Sequence, residues 1–146
     1  MSRRTKLLIA VGVVRFLGVS FVLARYLSTE KRERDAGYAL LRDQARGDVP
    51  AMLARLDGCD ARCRADAEAN VRRLARPGDV KILAYTSSTS YALGGASGPT
   101  RVAWTIVNRQ LPVVQCVDVQ RTGTVLTGRA INLRRLSVPI ESTGSC

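Results

Sequence analysis

Four cysteines, at 59, 63, 116 and 146, are the residues whose type and spacing carry the clearest chemistry. The chain has no histidine, which removes the commonest general base, the commonest metal ligand and every Ser-His or Cys-His nucleophile pair. An even cysteine count behind an apolar N-terminal segment suggests two disulfides. Cys59 and Cys63 stand four apart, a helical spacing of roughly 6 Å between Cα atoms, within disulfide range. Cys116 then falls to Cys146 and would pin the C-terminal tail. Structural zinc and free thiols are the rival readings. The run CDARC has one residue too many for the C-x-x-C of a zinc knuckle or a redox pair, so no metal or cofactor is expected.

Other candidates for chemistry are few. After residue 78 the acids are Asp79, Asp118 and Glu141, and Lys81 is the one lysine. Proton transfer near neutral pH would need one of these with a strongly shifted pKa, so the expectation is binding and not catalysis. Asp118 is the acid inside the strand-rich region, and without a visible partner it reads as a solvent-facing strand residue. Arg129, Arg134 and Arg135 could form an anion patch. With no aromatics interleaved they read as a solvated basic face. The net charge of +11 is spread along the chain, and 20 of the 23 basic residues are arginine. That bias fits a GC-rich genome. A basic chain favours anionic partners such as lipid headgroups or nucleic acid, with nucleic acid the weaker expectation here.

These residues are positioned by elements that the patterning marks out. Residues 7–24, LLIAVGVVRFLGVSFVLA, are apolar apart from Arg15. Eighteen helical residues span about 27 Å, close to a bilayer core. Arg15 would cost about 2.5–3.5 kcal/mol at mid-membrane, which the surrounding Leu, Ile, Val and Phe residues can outweigh. The segment is expected to anchor the chain in a membrane. A signal peptide cleaved after Val22-Leu23-Ala24 is the rival. Residues 1–27 are therefore tail and anchor (or signal), and 28–146 an extracytoplasmic domain. The basic residues flanking the span nearly tie, so the cysteines decide its orientation.

No helix breaker stands between the span and Gly37, so one long helix is expected to leave the membrane and end at Gly47. Asp48 with Pro50 opens a second helix, with Val49, Met52, Leu53 and Leu56 on one face. Asp60 caps a third, with Cys63, Ala67, Val71 and Leu74 on one face, which Arg76-Pro77-Gly78 stops. The period then changes to two. Residues 80–93 read as one bent strand or two, with the odd positions Leu83, Tyr85, Ser87, Thr89, Tyr91 and Leu93 sharing a face, followed by a loop at 94–99. Strands are expected over 101–109, 113–120 and 125–140. A tight hairpin is expected at Arg121–Thr124 and a bulge at Gly128.

Helices followed by a meander make an α+β class: a transmembrane helix, then two to three helices packed on a curved antiparallel sheet of about four strands. The order, with the helix junction ARGDVPAMLARLDG, resembles the nuclear transport factor two-like superfamily, whose cystatin-like cone packs helices into a strongly curved sheet. Over residues 30–140 the resemblance implies a concave pocket for a small apolar ligand or a partner protein. Tyr85, Trp104 and Tyr91 are candidates to line such a pocket, with Tyr38 as a lid, although aromatics at strand spacing are more often plain core. It also implies an alternative, an isomerase- or dehydratase-like enzyme using Asp118.

Overall fold

The computed structural model describes residues 2–89, 95–107, 111–124 and 128–146. Its first element is one uninterrupted helix, α1 (Arg3–Arg46), 44 residues long. Ser2 caps its start and Gly47, at φ 80°, closes its end in the left-handed conformation that glycine adopts without steric cost. The side chains from Leu7 to Ala24 lie outside the fold, Leu8 and Phe16 being more than 70% exposed. Burial begins at Thr29 and recurs at Glu33, Gly37, Leu40, Leu41 and Gln44, one stripe at helical spacing.

Asp48 caps α2 (Val49–Ala54) by accepting from the Ala51 amide, and Asp60 caps α3 (Ala61–Leu74) by accepting from the Cys63 amide. In α3 the buried positions are Cys63, Ala67, Asn70 and Leu74. Asn70 takes the central place expected of Val71, because its amide reaches the Ser137 carbonyl at 2.9 Å.

Four strands follow: β1 (Val80–Ser87), β2 (Ala96–Ile106), β3 (Val113–Thr124) and β4 (Gly128–Leu136). They form one open antiparallel sheet in the order β1-β2-β3-β4, a meander. One face carries Val102, Trp104, Ile106, Val113, Val117, Val119, Leu133 and Leu136 against Leu40, Leu41 and Met52 of the helices.

Several strand boundaries differ from expectation, each for a local reason. In β1 a bulge between Ile82 and Ala84 breaks the alternation. Val80 and Ile82 lean inward before it and Tyr85 after it, while Leu83 turns out to 51% exposure. Tyr91 and Leu93 lie outside the described residues. The segment 96–99, expected as loop, is the start of β2, and Pro99 sits in it opposite Asp118. Arg121–Thr124 is not a turn but the end of β3, paired with Gly128–Ile131. Gly123 and Gly128 allow this. Both have φ near 90°, and a Cβ at Gly123 would stand 2.3 Å from the Gly128 carbonyl oxygen. Past Leu136 the chain leaves the ladder and returns at a single bridge, Ile140 with Val114.

The cysteines pair as Cys59–Cys63, with Cα atoms 5.3 Å apart, and Cys116–Cys146, at 5.7 Å. The first closes the corner between α2 and α3. The second straps the tail across the outer face of the sheet, where Arg101 also donates to the carbonyls of Ser142 and Gly144. A bridge over 30 residues contributes about 3–4 kcal/mol through the unfolded chain, and one over four residues about 2. Paired Cys116→Ser and Cys146→Ser should therefore lower the melting temperature more than paired Cys59→Ser and Cys63→Ser, as calorimetry would show.

Candidate functional site

The polar stripe on α1 meets the inner face of the sheet along a seam. Its centre is Glu33, which has no exposed surface although it lies in a run of alternating charges. Oε1 accepts from the Tyr85 hydroxyl at 2.9 Å and from the Thr100 hydroxyl at 2.9 Å. Oε2 accepts from Arg121 Nε at 2.7 Å and from the Thr89 hydroxyl at 3.3 Å, with Arg121 Nη2 also 2.5 Å away. Arg121, only 2% exposed, turns Nη1 onto the Thr89 carbonyl.

Burial works to raise the Glu33 carboxyl. Hydrogen bonds from Arg121, Ser87 and Tyr85, with the charge of Arg121, outweigh it and hold the group below its ordinary value of 4.5. The Tyr85 phenol moves far up, first because it is desolvated and then because Glu33 stands against its ionised form. Both groups are therefore fixed in the states that bond each other. Both oxygens of Glu33 are engaged and its side chain has no exposed surface, so the arrangement fixes the orientation of α1 on the sheet.

Further along the seam, Gln115 Oε1 accepts from the Trp104 indole at 2.8 Å and from Gln44 at 3.1 Å, while Gln115 Nε2 donates to the Ser137 carbonyl. Thus α1 is joined to β3 at two levels, Glu33 to Arg121 and Gln44 to Gln115. Asp43 of α1, almost fully buried, also accepts from Arg55 just past α2.

The three expected lining residues differ in their surroundings. Trp104 is wholly buried, so it belongs to the core, and its emission reports folding rather than a ligand. Tyr38 points outward, 37% exposed. Tyr85 is the one of the three in the polar seam, packed against Gly37 with its hydroxyl on Glu33. Around Glu33 and Gln44 this network joins α1 to the inner face of the sheet. Asp118 is exposed on the outer face of β3, opposite Pro99 and Arg135. Arg134 and Arg135 are turned to Asp57 and Asp66 on the helical side, so they do not share a patch with Arg129, which is buried. Among the described residues no cluster of Cys, Asp and Glu could hold a metal.

Sequence reasoning missed Glu33 and Arg121. The available signal was phase: stepping back from Leu40 and Leu41 by helical turns reaches Gly37, Glu33 and Thr29. Arg121 falls in phase with Gln115, Val117 and Val119 on the inner face of β3.

Removing one partner should strand the other charge. Glu33→Ala should destabilise the domain by about 3–5 kcal/mol, and Glu33→Met with Arg121→Met should recover most of that in a double-mutant cycle. The sign of the pH dependence follows from the lowered carboxyl. Its stabilisation is complete above the unfolded value near 4.5 and is lost as pH falls through the lower folded value. On the alkaline side, unfolded tyrosine ionises near 10 while folded Tyr85 does not, so stability drops above that pH. Urea midpoints at pH 7, 4.5, 3 and 10.5 should show both limbs in the wild type, and a shallower acid limb in Glu33→Gln.

Compared with protein-family models, curated proteins and solved structures, the chain matches none.

Proposed function

We propose that the protein is a single-pass membrane protein whose α+β domain lies outside the cytoplasm and serves as a binding or scaffold module for a partner protein or a small ligand. The carrying observation is α1. One unbroken helix has a first part apolar and fully exposed, long enough to cross a membrane by length and composition, and a second part locked to the sheet through Glu33. An exposed face of that apolarity is stable in lipid and not in water. Two disulfides support an oxidising compartment for the domain, and none of the four cysteines is free. Arg15, which splits the apolar run, favours an uncleaved anchor over a signal peptide.

We also propose kinship with the nuclear transport factor two-like superfamily, with the order of helices followed by a meander as its motivation. Exposure of Asp118 removes the feature that would have favoured the enzyme reading, and the binding reading rests on the rigid presentation of the domain at the end of its helix.

Alkaline carbonate should leave the full-length protein in the membrane pellet. Protease added to intact spheroplasts should digest residues 28–146. Protection of the domain until the membrane is lysed would reverse the topology, and extraction by carbonate would remove the anchor.

A further inference from the structure

Arg129 stands apart from the other buried polar groups. It is 7% exposed, and neither Nε, Nη1 nor Nη2 has a hydrogen-bond partner. Buried guanidinium groups normally meet a carboxylate, as Arg121 meets Glu33, because an unpaired charge out of water is strongly unfavourable. Arg129 lies at the start of β4, two residues before Ile131 on the same face, and it lines a small cavity between that strand and α1. Across the cavity α1 presents Arg25, Ser28, Thr29 and Arg32. Arg25, Thr29 and Arg32 follow at i, i+4 and i+7, so one helical stripe faces the opening. Three guanidinium groups converge there, and no carboxylate is among the lining residues. The nearest acid along the stripe, Glu33, is occupied by Arg121.

The cavity has a place relative to the apolar segment. That segment ends at residue 24; Arg25 to Thr29 cover about the next 7 Å along the helix axis, and Arg32, one turn further out, reaches back to that level with its long side chain. This is the depth of one headgroup layer. Arg25 also leans back over the ring of Phe21, 5.4 Å from its centre. The site therefore lies where lipid phosphates lie, provided the anchor reading above holds.

We propose that Arg129, Arg25 and Arg32 form a binding site for the phosphate group of an anionic membrane lipid. The cavity is about 10 Å³, room for one oxygen-sized group and not for a whole headgroup. One phosphoryl oxygen enters to meet Arg129, and the others remain at the mouth with Arg25 and Arg32. Guanidinium groups suit this task, since their planar forks match phosphate oxygens. The bound phosphate supplies the counter-charge that Arg129 lacks among the described residues, and it fixes the β3–β4 end of the sheet against the bilayer surface.

Full-length protein in detergent micelles can be tested by native mass spectrometry and thermal unfolding against phosphatidylglycerol, phosphatidylcholine and inorganic phosphate. The wild type should retain phosphatidylglycerol at least about ten-fold better than phosphatidylcholine, and its melting temperature should rise with that lipid. Arg129→Met should lose the preference and keep or raise the lipid-free melting temperature, which a purely structural arginine would not allow. Arg32→Gln, at an exposed position, should lose most of the preference and carries the test if Arg129→Met fails to fold. Arg134→Gln should behave as wild type. No preference in the wild type, or an undiminished one in Arg129→Met or Arg32→Gln, would overturn the site. Equal stabilisation by millimolar inorganic phosphate would assign it to a soluble ligand and overturn the lipid source. Carbonate extraction of the same protein separates the two readings: a protein that stays in the membrane yet shows no lipid preference lacks the site and keeps its anchor.

Discussion

Glu33 brings a negative charge into a place without water, and four side chains from the sheet region close on it. Two hydroxyls from β1 and β2, one from the turn after β1 and the guanidinium of β3 converge on one carboxylate from α1. A single helix rotation and a single axial position satisfy all of them. An apolar contact tolerates a slide of part of a turn at little cost, whereas this contact does not, because any displacement leaves a buried charge unpaired. The packing of Leu40, Leu41 and Met52 supplies the hydrophobic stabilisation, and the ion pair decides where α1 lies while that burial occurs.

The second attachment follows from the first. From Glu33 to Gln44 the helix advances about 16 Å, and from Arg121 back to Gln115 the strand covers about 20 Å. The two elements thus run side by side in opposite directions, in step at both ends of the seam. Gln115 completes the register by joining Gln44, Trp104 and the Ser137 carbonyl. A helix held at two levels cannot swivel on the sheet. Whatever holds residues 7–24 consequently sets the orientation of the whole domain.

The two sides of the sheet are closed by different means. The inner side has the helices, the apolar core and the seam. The outer side has a short tail with little apolar area, so it relies on a covalent bond at Cys116–Cys146, on Arg101 reaching the tail carbonyls and on the Ile140–Val114 bridge. At the α2–α3 corner, Leu56 pairs with Leu133 and covers part of the β4 edge, and Cys59–Cys63 holds the turn that follows. A domain of this size, with a sheet open at its β1 edge, gains from such staples where burial alone is thin.

The sequence by itself determined the features that depend on near neighbours. These are the apolar run at 7–24, the continuity of α1 to Gly47, the caps at Asp48 and Asp60, and the alternation of Val113, Gln115, Val117 and Val119. The cysteine pairing was legible too, because four helical residues fit a disulfide and leave one partner for Cys116. Only the tertiary structure decided which charged residues are inside. Glu33 and Arg121 are 88 positions apart, and each read alone is an ordinary surface charge, since the desolvation of one is offset only by the other. The β1 bulge likewise inverted the face of Leu83, because one inserted residue shifts a period of two by half. Trp104 read either as core or as a pocket wall, and its indole meets a buried amide, Gln115, a partner with which it is enclosed completely. Arg129 is the residue for which the tertiary structure removes water and provides no partner among the described residues, and for that reason the fold, and not the sequence, points to it.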